Sequence, residues 1–141
     1  DLAVSQSKDN AVYYIQYAHA RVNRMVDVRA PEKNIAFDRT QLAHYDVSIL
    51  VSNTETELLA KLAAYPEIVA RAANSYEPHQ IGNYLKELAA LFHGWYAQDD
   101  VKILDEQNIA LSQARLVLSL NVQQVLKNGL TLLGVSAPES M

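Results

Sequence analysis

Apolar residues recur at helical spacing along this 141-residue chain, and only one segment alternates like a strand. That segment, Val47-Ser48-Ile49-Leu50-Val51, has no second strand-like run to pair with, and a strand without a partner leaves its backbone groups unsatisfied. It is therefore read as helix or loop, which restricts the fold class to all-α. The longest stripe runs from Ile109 to Leu133 through Leu111, Leu118, Val122, Val125 and Leu132, with Gly134 as its C-terminal stop. Another opens at Pro78, passes through Ile81, Leu85, Leu88, Leu91 and Phe92, and fades at Gln98-Asp99-Asp100. The far end of that helix carries Trp95 and Tyr96.

Shorter elements follow from capping chemistry. Asn10 is a helix N-cap, after which Val12, Ile15, Tyr17, Ala18, Val22 and Met25 keep helical spacing until the Val28 to Pro31 region breaks it. Asp27 to Arg39 reads as a connection, and Asp38 as the cap of a short helix through Tyr45. Thr54 with Glu57 has capping-box spacing ahead of Leu58, Leu59, Leu62 and Ala63, while Pro66 suits the first turn of a helix through Ala73. With short connections, no repeat and no low-complexity segment, the expected architecture is a helical bundle. Residues 1–9 read as a polar lead-in from a preceding domain and residues 10–141 as the helical domain.

The size is that of one domain able to bury a core without disulfide or metal support. The absence of cysteine excludes a disulfide scaffold and any thiolate zinc site, and fits a reducing compartment. Apolar runs fall well short of the twenty or so residues needed to span a bilayer, and the N-terminal residues lack a signal-peptide layout. A formal charge of −4 rules out nucleic-acid binding by bulk electrostatics, so any such contact must be local.

No Gly-rich phosphate loop, metalloprotease motif or nucleophile elbow occurs, so catalysis has no support. His19, His44, His79 and His93 are scattered without ligand spacing, and the acidic pairs Asp99-Asp100 and Asp105-Glu106 read as solvated helix ends, so no metal is expected. The eight tyrosines and single tryptophan are more telling. Such residues offer a flat face and one polar group, suited to stacking on unpaired bases as well as to core packing. Tyr13, Tyr14 and Tyr17 share one helix with Arg21 a turn beyond Tyr17, which sets an aromatic ring beside a guanidinium. Trp95 and Tyr96, next to a polar loop, are expected to be exposed.

Three separated stretches then resemble one family. Asn10-Ala11-Val12-Tyr13-Tyr14-Ile15-Gln16-Tyr17-Ala18-His19-Ala20-Arg21 is similar to a stretch of arginyl-tRNA synthetases that usually has proline where this chain has Ala11. Tyr76-Glu77-Pro78-His79-Gln80-Ile81 and the ending Gly134-Val135-Ser136-Ala137-Pro138-Glu139-Ser140-Met141 resemble the same family's C-terminal anticodon-binding domain. Its Asp-Ala-Leu-Arg signature survives loosely as Ser112-Gln113-Ala114-Arg115, and many members have arginine where Ser140 stands.

The resemblance implies an all-helical, class I synthetase anticodon-binding bundle whose partners are the anticodon arm of arginine tRNA and the synthetase's own catalytic domain. ATP-dependent aminoacylation would belong to that other domain; its HIGH-like and KMSKS-like motifs have no counterpart here, so this chain is expected to need no cofactor. A cytoplasmic monomer away from membranes is the implied setting. By position, Tyr17, Tyr96 and Met141 would lie near the anticodon loop with Trp95 as a neighbour, and Arg21, Arg24, Arg115 and Lys127 are candidate phosphate contacts. A competing reading is a helical interaction or support module within the synthetase, favoured by the acidic charge. The related cysteinyl-tRNA synthetase bundle is disfavoured by the Gly-Val-Ser-Ala-Pro ending.

Overall fold

The computed structural model describes residues 2–98 and 102–141, and the side chains among them from residue 11 onward. Helix α1 runs from Leu2 to Arg24, which puts Asn10 inside the helix rather than at its start. Residues 2–10 contain neither glycine nor proline, so a helix formed downstream can propagate back through them. The helix also continues beyond its expected end. A π-helical turn, Met25–Arg29, leads into the short α2, Ala30–Glu32, with the Ala30 N–H reaching the Met25 carbonyl. Pro31 explains the widened turn, because an ordinary α-helix would drive its ring against the carbonyl of Asp27. Asn34, in the left-handed region at φ 57°, closes the helix as the Ile35 N–H returns to the Ala30 carbonyl at 2.9 Å.

Asp38 does not cap an α-helix. Its Oδ1 instead accepts from the Thr40 N–H (2.9 Å) and hydroxyl (2.6 Å), and only 3-10 turns form at Leu42–His44 and Val47–Ile49. Val47–Ile49 thus has the helical character expected of a strand-like run without a partner. Helix α3, Asn53–Ala63, is capped two residues earlier than expected: Ser52, not Thr54, is the N-cap, with Glu55 completing the box. Both pairs satisfy the same spacing, and the pair that forms leaves Glu55 facing inward. Helices α4 (Tyr65–Ser75), α5 (His79–Tyr96) and α6 (Ile109–Leu132) follow. Pro66 lies in the first turn of α4 and Pro78 immediately precedes α5.

The core is the mutual packing of α1, α5 and α6, with α3 laid on α5 and α6 and α4 against α5. Every residue from Ala114 to Leu120 in α6 is buried, so this helix runs through the bundle centre. Leu118, Val122 and Leu126 lie on its buried line, whereas Leu132 falls off that line and is exposed. Leu85, Leu88 and Phe92 of α5 are fully buried, each worth about 1.5–3 kcal/mol of apolar burial. A Cβ on Gly129 would fall 2.5 Å from Leu85 Cδ2, so glycine is what lets α5 and α6 approach so closely.

Candidate nucleic-acid interface

The first helix presents Tyr13, Tyr14 and Tyr17 on its exposed side, and the end of α5 brings His93 and Tyr96 alongside. Arg21 lies between the two helices. Its guanidinium carbon is 4.8 Å from the Tyr17 ring centre and 4.2 Å from that of Tyr96. A cation held against two aromatic faces is attracted by both. Hydrogen bonds fix its orientation: Nη2 donates to the Tyr17 hydroxyl at 3.2 Å and Nη1 to His93 Nδ1 at 3.0 Å. Because guanidinium has only donors, His93 Nδ1 must accept, which leaves the ring proton on Nε2, 3.4 Å from the Tyr14 carbonyl. Burial pushes the His93 pKa below its ordinary value, and the nearby Arg21 charge lowers it further against the opposing Tyr14 hydrogen bond.

After α6, Gly134 takes the left-handed conformation at φ 73°. The Val135 N–H bonds back to the Leu130 carbonyl (2.9 Å) and the Gly134 N–H to that of Thr131 (3.0 Å), which turns the chain toward α1. The tail then follows α1 to Met141. Tyr17, Arg21, Arg24 and Val28 on α1 and its extension face Glu139, Ser140 and Met141 across a groove of about 530 Å³. Asp27 also lines it, so the groove carries both signs of charge.

Four of the residues expected at such a site from the sequence, Tyr17, Arg21, Arg24 and Met141, therefore meet in one place, and Tyr96 joins them through Arg21. Three others do not. Trp95, expected to be exposed, is wholly buried, because it prolongs the Leu85, Leu88, Phe92 stripe by another turn; its indole Nε1 donates to Glu55 at 3.3 Å. Arg115 is buried too: its Nε donates to Glu55 Oε2 at 2.8 Å and its Nη1 to the Lys102 carbonyl at 2.7 Å, which removes it as a phosphate contact. Lys127 is exposed but lines a neighbouring groove with His19, Arg39 and Gln123. Asp99-Asp100 lies outside the described residues. His93 was not singled out in the sequence, since nothing local pairs it with Arg21.

Residues 15–141 match the DALR anticodon binding domain family. The chain belongs to that family. Along its whole length it is 66% identical to the arginine–tRNA ligase of Acinetobacter baylyi, of which it spans 23%. It is 64% identical to that of Acinetobacter baumannii strain AYE, again covering 23%. Thermus thermophilus arginyl-tRNA synthetase superposes with a TM-score of 0.71 at 31% identity, over 91% of this chain and 21% of that one. The chain thus spans about a quarter of the length of the curated relatives it matches. Among the described residues, no helix of this DALR domain is long and apolar enough to cross a membrane.

Proposed function

We propose that this DALR domain holds the anticodon arm of arginine tRNA for an arginine–tRNA ligase, with amino-acid activation by ATP and transfer carried out by a catalytic domain elsewhere in that protein. The carrying observation is the convergence of Tyr17, Arg21, Tyr96 and Met141 on one groove edge in a protein of net charge −4. With little bulk attraction for phosphate, affinity must come from local contacts, and unpaired anticodon bases are suited to the aromatic and apolar surface these residues form. Arg21, pinned between two rings, acts as part of that platform. Arg24, exposed beside it, is the phosphate contact, whereas Arg115 is structural. We also propose that the parent ligase is a cytoplasmic monomer.

A titration at fixed low salt with an arginine tRNA transcript, and with one whose central anticodon cytosine is changed, tests the reading. Selective loss with the changed transcript supports it. Equal or absent binding would favour a module that braces the catalytic domain instead.

A further inference from the structure

Gln16, His19 and Asn23 follow one another along one face of α1, and each donates a hydrogen bond to a backbone carbonyl of the tail. Gln16 Nε2 reaches Ser136 O at 2.8 Å, His19 Nδ1 reaches Pro138 O at 3.0 Å, and Asn23 Nδ2 reaches Glu139 O at 3.4 Å. A carbonyl can only accept, so the Nδ1 proton of His19 is specified by its partner. The amide of Asn23 is likewise oriented: its Oδ1 accepts from Gln123 Nε2 at 2.7 Å and Arg39 Nη2 at 3.2 Å, which turns its nitrogen to the tail. The spacings also agree. Helical rise carries α1 roughly 10 Å from Gln16 to Asn23, and an extended chain covers about the same distance from Ser136 to Glu139. The tail is thus laid parallel to α1 in one register, and it ends with Met141 in the groove that Tyr17, Arg24 and Val28 also line.

We infer that Gln16, His19 and Asn23 are positioning residues for RNA binding: they touch no base, and they build one wall of the groove by holding the terminal segment in register. The inference rests on the anticodon reading proposed above. The tail is anchored by Val135 and Ala137 packed against the core and by three hydrogen bonds that use only main-chain carbonyls, so residues 140 and 141 can vary with the RNA while the strap is kept.

The chain has two methionines, which makes the test direct. Met25 is buried in the core and Met141 is half exposed in the groove, so methyl-labelled protein reports fold and tail separately. In Gln16→Ala/His19→Leu the Met141 methyl should move to the position of a free chain end while Met25 stays. Affinity for an arginine tRNA transcript should fall about tenfold, the equivalent of one lost base contact. His19→Asn, whose amide nitrogen stands where Nδ1 was, should retain both properties. If His19→Leu shifts Met25 as well, Gln16→Ala alone, at a solvent-reachable bond, gives the same two readouts. A released Met141 with undiminished affinity overturns the inference, as does a Met141 methyl that never moves. A wild-type protein that binds no RNA overturns the anticodon reading instead, and the methyl signals still decide whether the strap exists.

Discussion

Arg115 of α6 donates its Nε–H at 2.8 Å to Oε2 of Glu55 in α3, and both side chains are buried. Trp95 of α5 donates to the same oxygen at 3.3 Å, and Glu55 Oε1 accepts from the Ser52 N–H at 3.3 Å as part of the α3 cap. One carboxylate therefore ties together three helices and a helix start. Among the described residues no buried side-chain polar atom lacks a partner, so neither charge is left unpaired in the core. Arg115 is thereby a structural joint.

Removing one partner leaves the other buried and charged, so Glu55→Ala should destabilise the protein by about 3–5 kcal/mol, the usual penalty for breaking a buried pair. Replacing both, as in Glu55→Gln/Arg115→Met, should cost far less. Urea denaturation of both proteins decides this. RNA affinity of the fraction that remains folded should be unchanged, and a selective loss in Arg115→Met would return that residue to the RNA surface.

What could be read from the sequence was what is local. The stripes Ile81, Leu85, Leu88 and Leu118, Val122 announce α5 and α6 because helical periodicity is a property of neighbours, and Pro78 and Gly134 mark ends by their own backbone chemistry. The Tyr17 to Arg21 contact was legible for the same reason. What escaped depends on distant partners. Glu55 meets Arg115 across 60 positions and Arg21 meets His93 across 72, and these contacts decide which capping box forms and which arginine is exposed. Trp95 borders a polar loop but continues the apolar stripe of α5, and the stripe decides its burial.

Gly129 is set against Leu85, whose Cγ, Cδ1 and Cδ2 would all lie within 2.9 Å of an added Cβ. Leu85 is fully buried in the core, so relieving the clash requires it to repack or α5 and α6 to move apart. Gly129→Ala should cost about 1–3 kcal/mol by overpacking, despite alanine's better helix propensity. A raised thermal midpoint would show that the helices can part freely.

The Arg21 clamp separates two roles of one charge. Arg21→Lys keeps the charge but cannot span Tyr17, Tyr96 and His93 with a planar group. Affinity for arginine tRNA should drop about tenfold or more, given about 1–3 kcal/mol for a lost base-stacking platform, with the salt dependence of binding nearly unchanged. Arg24→Gln should do the reverse, lowering the salt slope by about one. Tyr96→Ala should resemble Arg21→Lys, because it removes one face of the clamp.

The two shifted histidines fix how stability responds to pH. His19 and His93 are held below their ordinary 6.5, in both cases chiefly by burial, so the folded protein binds fewer protons than the unfolded chain once pH falls toward that value. Unfolding free energy then rises with pH in this window. Stability should be level above about pH 7.5, and should decline as pH falls through 6.5 toward the lower folded-state values. Carboxylates cannot imitate this. Asp38, Asp46 and Glu106 are held below ordinary values of 3.8, 3.8 and 4.5 by hydrogen bonds, so the stability they contribute is present throughout that range and is lost only in stronger acid. Protonating His93 has a second effect, because its Nδ1 can no longer accept from Arg21 and the clamp on Tyr17 and Tyr96 must open. RNA affinity should therefore weaken in the same acid range apart from any unfolding, and His93→Asn, which offers an amide oxygen to Arg21 at all pH values, should remove that dependence. Thermal midpoints and RNA titrations across the range check both effects, and a flat midpoint profile down to about pH 5 would mean that neither histidine is neutral by virtue of the fold.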